Sequence, residues 1–338
     1  MSRRYEPVES PDETTVFPYH DLTTPTLRDV FRARRVVQRH LPKTPLVRDE
    51  WLSAELDADV YLKREDTLPT GAFKVRGGVT LVSRLDEEFR ERGLVAASTG
   101  NHGQSIAYAG REFGVPVTIC VPEDANPKKV SAMQEFGADI VFHGRDFDDA
   151  RAHAEELATE HQYRYVHSAN EPALVAGVGT AGLEVVEDLP SVDVCFAPVG
   201  GGSSASGFSL TVGHVLDADV IGVQSAEAPG VYRAWKEGHL EGHDVMETTA
   251  EGLATRVPFA LTMGVLREKL HDFVLVDDEA TLDALREILV QSRVLMEGAS
   301  AACVAAALEH GDELGGKTVV LPVTGRNIDI DKLARVLD

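Results

Sequence analysis

The chain has 338 residues, which at about 150 residues per domain suggests two domains. It is long enough to bury roughly three quarters of its unfolded surface without disulfides or metals. Apolar residues make up 43% and charged residues 26%, which excludes wholesale disorder. Asp and Glu total 55 against 33 Lys and Arg, a net charge of −22. Nucleic acid and anionic membranes repel such a chain, and no run approaches the ~20 apolar residues of a membrane span.

Residues 1 to 22 are polar, rich in Pro and Glu, and read as a loose arm. The arm lacks the apolar core of a signal peptide, so a cytoplasmic location is expected. The spacing of Leu27, Val30, Phe31, Val36 and Val37 predicts a helix over 25–40, with Thr24 as N-cap and Pro25 in the first helical position. RARRVV is then its solvated face, and Pro42 and Pro45 end it. Lys74 opens a helix that runs to Arg92. From residue 94 short β-branched runs alternate with helical patterns. Strands are predicted at 94–99, 117–121, 139–144 and 163–168, and helices at 102–113, 127–136 and 147–161. The alternation continues with a helix at 172–187, a strand at 192–199, a helix at 203–216 and a strand at 219–225. The stretch 226–271 is mixed and mostly helical. A strand at 273–277, helices at 279–294 and 299–310, a strand at 317–324 and a short helix at 329–337 complete the chain. This is the pattern of βαβ units and mostly parallel sheets. The expected architecture is α/β, two interleaved doubly wound domains: 1–92 with 169–338 as the larger, and 93–168 as a small insertion. Ligands in such sheets sit at the carboxyl ends of strands.

The basic side is skewed, with 9 Lys against 24 Arg. An acidic, lysine-poor surface stays hydrated in concentrated salt, which suggests a halophilic source; the plainer alternative is an ordinary acidic cytosolic protein. Cys120, Cys195 and Cys303 lie far apart in apolar runs and read as buried small hydrophobes. No Cys or His spacing resembles a zinc site, and no metal is expected.

Four segments carry chemistry. PVGGGSSASG (198–207) follows an apolar strand and opens a helix. Consecutive glycines let the backbone approach an anion, and the helix N-terminus favours negative charge, so this is a phosphate cradle or a tight turn. It lacks both a Walker GK[ST] and a G-x-G-x-x-G spacing. YLKREDTLPTGAFKVRGG (61–78) places Lys74 after Gly71, Ala72 and Phe73. A desolvated lysine is less easily protonated and forms an imine with a carbonyl; the plainer alternative is a surface lysine at a helix start. ASTGNHGQSIAYAG (97–110) offers the backbone N–H groups around Thr99, Gly100, Asn101 and His102 to a carboxylate. Asn101 either holds a ring hydroxyl or caps the helix. LPVTGRNID (321–329) sets the Thr324 hydroxyl at a strand tip, where it serves a ligand or simply closes the strand.

TGAFKVRGG, STGNHGQS, PVGGGSSASG and VTGRNID, in this order, resemble the fold-type II pyridoxal 5'-phosphate (PLP) enzymes. The similarity is to the threonine/serine dehydratase, or ammonia-lyase, branch. EGLATRVPFALT (251–262) and HGRDFDDAR (143–151) share it, and it runs from Thr44 to the C-terminus. The resemblance implies Lys74 as the Schiff-base lysine and Asn101 as partner of the ring hydroxyl. It implies Gly200, Gly201, Gly202 and Ser203 as the phosphate loop, with Thr324 facing the pyridine nitrogen. Ser98, Thr99, Gly100 and His102 would hold the substrate carboxylate. Three departures stand out. Ser203 replaces the fourth glycine of the loop, and Arg326 replaces a glycine of the usual SGGN. SAEAPGVYR keeps Glu227 but loses the Asp that helps serine racemases bind a divalent metal. The chain ends soon after VTGRNID, so a form without the isoleucine-binding regulatory domain is expected.

The implied reaction is β-elimination from a small β-hydroxy amino acid, giving a 2-oxo acid and ammonia. A neutral Thr324 does not hold a proton on the pyridine nitrogen, which favours elimination over transamination. Racemisation is the alternative within the fold, because Thr99 falls near the hydroxyl that serine racemases use on the opposite face of Cα. Cysteine synthase lacks a match before Lys74, and threonine synthase would want more basic residues. A catalytically inactive PLP-binding or regulatory protein is the alternative from another class. Homodimers or homotetramers are usual in the resembling family.

Overall fold

The structure is a computed structural model that describes residues 4–5, 22–243 and 245–337. Most of the expected loose arm lies outside the described residues; within it, Arg4–Tyr5 pairs antiparallel with Leu22–Thr23. The first helix is Leu27–His40, and Thr26, not Thr24, caps it. The Thr26 N–H and hydroxyl donate to the Asp29 carboxylate at 3.0 and 2.7 Å, a bond that Thr24 is too far back to make. Val30, Ala33 and Val37 form the buried stripe, while Phe31 faces outward at 52% exposure.

The chain divides into two compact units. The first holds the described residues of Met1–Pro42 together with Lys74–Gly177; the second holds Lys43–Phe73 and Val178–Asp338. The insertion expected at 93–168 is therefore larger than its sheet. The physical reason is the glycine pair after Lys74. A Cβ on Gly78 would lie 2.5 Å from Ser105 Oγ, and one on Gly77 3.0 Å from the Leu174 carbonyl. Without side chains there, the fully buried helix Val75–Val82 packs on the helix Asn101–Phe113 and joins that unit. It stops at Val82, short of the expected Arg92. The Arg90 guanidinium donates to the Ser83 and Leu85 carbonyls at 3.1 Å each, and Asp86 caps a second helix, Glu87–Arg92.

The sheet of the first unit has four parallel strands in the order Asp139–Phe142, Val117–Val121, Leu94–Ala97, Arg164–Tyr165. Val95, Ala97, Cys120, Ala150, Ala154 and Tyr165 share its core.

The second unit has a six-stranded sheet in the order Asp272–Val276, Asp219–Ser225, Val194–Pro198, Thr318–Val323, Asp59–Arg64, Leu46–Arg48. All pairs are parallel except the last. The alanine-rich helix Gly298–Glu309 is buried along most of its length in this unit's core. The stretch 226–271 contributes the helices Gly230–Glu237 and Ala260–Lys269. The helix expected at 203–216 widens into a π turn over Ser209–Gly213, and the one expected at 279–294 does the same over Ile288–Ser292. All three cysteines are free and buried. Burial pushes the Cys120 thiol up to about 11 and raises the other two, so none is a ready nucleophile.

Candidate active site

In the first unit, Lys74 precedes the helix Val75–Val82 and is half-buried. Its carbonyl accepts from the Gly77 and Gly78 N–H groups at 3.0 and 3.2 Å and from the Ser105 hydroxyl at 2.7 Å. The last bond ties the lysine's backbone to the helix that follows the Ser98–Thr99–Gly100 turn.

That turn is organised by Ser98. Its Oγ accepts from the Gly103 N–H at 2.8 Å and the Gly100 N–H at 3.2 Å. The Ser98 hydroxyl and the Gly100 amide, both expected at the substrate carboxylate, are thus engaged with each other. The N–H groups of Thr99 and His102 have no acceptor among the described residues. Gly100 is the cap residue and Asn101 the first helical one, so Asn101 is not the N-cap. His102 is buried, with Nε2 3.4 Å from the Val166 carbonyl, to which it donates as a neutral ring. Burial first, and then the Lys74 charge, hold its pKa down to about 3. His167 is likewise buried, and its Nδ1 accepts the Ala169 and Asn170 N–H groups at 3.0 Å each. Burial and the nearby Arg151 hold its pKa at about 3 as well.

In the second unit, the strands Val194–Pro198 and Thr318–Val323 are parallel neighbours, so their carboxyl ends point the same way. Gly200, Gly201, Gly202 and Ser203 follow the first strand, and Thr324 follows the second. None of the four N–H groups at 200–203 has an acceptor among the described residues. The loop is fitted closely. A Cβ on Gly200 would lie 2.1 Å from the Gly252 carbonyl oxygen. Gly202 has φ +87°, in the left-handed region, and its Cβ would meet Thr262 at 2.9 Å. The Thr262 hydroxyl donates to the Gly201 carbonyl at 2.7 Å. The segment 251–262 therefore shapes the loop from outside. Four amides without an acceptor among the described residues, followed by a helix, fit a phosphate dianion.

Thr324 is 1% exposed. Its N–H donates to Ser300 Oγ at 2.9 Å, its hydroxyl lies 2.9 Å from the same oxygen, and it donates to Glu297 Oε1 at 3.3 Å. Its carbonyl accepts the N–H of Phe73, the residue just before Lys74, at 2.8 Å. Next to it the Gly71 carbonyl accepts the Arg326 N–H at 3.0 Å, and Asn327 Nδ2 donates to the Thr70 carbonyl at 2.9 Å. The segment that leads into Lys74 is thereby clipped to the strand end that carries Thr324. Arg326 holds this clip through its backbone while its side chain is exposed. Glu297 and Ser300 were not singled out from the sequence. Glu227 accepts from the Ser225 hydroxyl at 2.9 Å, and among the described residues no group of three His, Cys, Asp or Glu is placed to hold a metal ion.

In the second unit, the amides of 200–203, which have no acceptor among the described residues, and the Thr324 hydroxyl stand at the ends of neighbouring parallel strands of a doubly wound α/β sheet. The chain belongs to the pyridoxal-phosphate-dependent enzyme family, whose pattern spans residues 37–325. It is 37% identical over 314 residues to a protein named L-threonine ammonia-lyase from Thermotoga maritima, covering 93% of this chain and 78% of that one. Its fold is similar to the processed threonine deaminase isoform 2 of Solanum lycopersicum, with TM-score 0.88 and 28% identity over 99% of this chain and 96% of that one. It is also similar to the serine racemase of Dictyostelium discoideum, with TM-score 0.85 and 29% identity over 90% and 99% of the two chains. No described helix is long and apolar enough to cross a membrane.

Proposed function

We propose that the protein is an ammonia-lyase that converts L-threonine, L-serine or both to the 2-oxo acid and ammonia by β-elimination. The observation that carries this reading is the close-fitted, amide-lined loop at 200–203, at the end of a strand that pairs with the one leading to Thr324. The ammonia-lyase named above supports the choice of reaction. Lys74 would hold the cofactor covalently and Asn101 its ring hydroxyl. The four amides of 200–203 would take the phosphate, and Thr324 would face the ring nitrogen. When bound, pyridoxal phosphate supplies the electron sink that makes the Cα proton removable. The Lys74 amine is the general base for that proton.

The substrate carboxylate is assigned to the N–H groups of Thr99 and His102, at the start of the helix Asn101–Phe113. Ser98 holds the turn open for it, through its two amide bonds. His102 contributes no charge, because a ring with a pKa near 3 is neutral at physiological pH. Racemisation is the second reading, favoured by the Thr99 hydroxyl, which is exposed and has no protein partner among the described residues. We further propose a cytoplasmic protein adapted to high salt, supported by the buried free thiols and the −22 charge, and a homodimer or homotetramer, as the family resemblance implies. A panel of β-hydroxy amino acids, assayed for 2-oxo acid, tests the substrate class. L-Threonine or L-serine should lead it, and a panel with no turnover at all would reject the lyase reading.

A further inference from the structure

The amide loop at 200–203 is backed by a turn of backbone, and a charged side chain of the C-terminal helix holds that turn. The short 3₁₀ turn Glu251–Leu253 faces the loop, where a Cβ on Gly200 would lie 2.1 Å from the Gly252 carbonyl oxygen. The same turn is packed closely on the helix Gly298–Glu309. A Cβ on Gly252 would lie 2.9 Å from the Ala299 Cβ, and one on Gly298 would lie 2.9 Å from the Ala250 Cα. Residues 250–252 thus fill the space between helix and loop. Interiors packed to this density pass a shift on to their neighbours rather than absorb it.

Asp278 and Lys332 anchor the chain that enters this turn. Asp278 accepts the Thr249 N–H at 2.5 Å and the Thr248 hydroxyl at 2.6 Å. Lys332 Nζ donates to the Thr249 carbonyl at 3.2 Å and to Glu251 Oε1 at 2.6 Å. Lys332 lies on the helix Ile330–Leu337, which Val336 seats in the same core cluster as Ala250 and Leu253. The ammonium therefore ties two positions of the turn to a helix that is itself fixed. The Lys332 and Glu251 side chains are 31% and 50% exposed, so salt reaches the pair. An exposed pair of this kind is weak, and it is screened as ionic strength rises.

We propose that Lys332 is a positioning residue for the phosphate loop. By tying Thr249 and Glu251 to the C-terminal helix, it keeps the Gly252 carbonyl against Gly200. The loop then holds the shape that leaves its four amides open to a phosphate. The proposal rests on the reading of those amides as the phosphate site. It makes the hold on the cofactor depend on ionic strength, through a side chain outside the loop.

Holoenzyme reconstituted with pyridoxal phosphate is dialysed against cofactor-free buffer, and the decay of its visible absorbance is followed at low and at molar KCl. Lys332→Met keeps an apolar stem and removes the charge. At low salt it should lose cofactor about threefold faster than wild type, the effect of one exposed ion pair. The ratio of the two rates should fall toward one at about 1 M KCl, where the screening length is about 3 Å. Lys332→Arg keeps the charge and should retain cofactor as wild type does. Lys236→Met removes an equal charge from the exposed pair Lys236–Asp272 and should leave retention unchanged. Three results would each overturn the proposal: equal retention in Lys332→Met and wild type at low salt, a ratio that does not respond to salt, or the same loss from Lys236→Met. Gly200→Ala in the same assay separates the proposal from the reading beneath it. If Gly200→Ala sheds cofactor quickly and Lys332→Met matches wild type, the tie is wrong and the phosphate site stands. If neither sheds it faster than wild type, the loop is not a phosphate site and the proposal fails with it.

Discussion

Adding one methyl group at Gly200 tests the phosphate cradle. A Cβ there would sit 2.1 Å from the Gly252 carbonyl oxygen, and real contacts of this kind essentially never fall below 3.0 Å. The obstacle is backbone, so no side-chain rotation can relieve it. Either the loop at 200–203 or the short 3₁₀ turn Glu251–Leu253 must move by roughly an ångström, and overpacking of this kind costs about 1–3 kcal/mol. If the strain is relieved by opening the cradle, it comes out of cofactor affinity, about 5- to 150-fold. Holoenzyme carrying Gly200→Ala, dialysed against cofactor-free buffer, should lose its visible absorbance much faster than wild type. Gly315→Ala is the control. Its Cβ meets only Asp57 Oδ2 at 4.0 Å, so cofactor retention should be unchanged. Equal retention in Gly200→Ala and wild type would show that the loop is a turn and not a phosphate site.

Lys74→Ala should abolish turnover and the visible absorbance of the bound cofactor together; a spectrum and an activity assay on one preparation check both. Thr324→Val removes a hydroxyl from between Ser300 and Glu297, leaving buried groups unsatisfied, so stability should fall by about 1–3 kcal/mol in denaturant titrations. His102 and His167 have pKa values lowered from 6.5 to about 3 in the folded state, so the unfolded state binds more protons between those limits. Stability should therefore drop as pH falls from 6.5 toward 3, by about 1.4 kcal/mol per pH unit for each ring, and His167→Asn should flatten that limb in pH-dependent unfolding. Thermal unfolding in low and molar KCl should show a rising midpoint if the acidic surface is a salt adaptation, and no rise removes that idea.

The strand–loop–helix junctions were legible because glycine-rich segments and β-branched runs are local signals. The positions 200–203 and Thr324 could be placed at strand ends from periodicity alone. The strand Asp59–Arg64 was not legible. It carries Lys63, which is fully buried and donates to Glu184 Oε2 at 2.7 Å and to the Thr44 carbonyl at 2.8 Å. A lysine argues against a core strand until its partner is known, and Glu184 lies 121 residues away. The break after Val82 was hidden for a similar reason, since it depends on where the Arg90 guanidinium reaches. Glu297 was missed because nothing in MEGAS marks it. Its meaning comes from Gly325 and Thr324, which tertiary structure brings alongside. The Ser98 hydroxyl shows the converse. Its position in the turn was legible, but its bonds to Gly100 and Gly103 were not.

Purified holoenzyme given L-threonine and L-serine, with ammonia, 2-oxo acid and the D-enantiomer followed in the same vessel, distinguishes a lyase from a racemase and from an inactive binder. Ammonia and 2-oxo acid should appear in equal amounts, with the enantiomer a minor product and all three absent in Lys74→Ala. Accumulation of the D-amino acid without ammonia would contradict the lyase assignment and make the protein a racemase. No product from holoenzyme that retains its cofactor would contradict catalysis altogether.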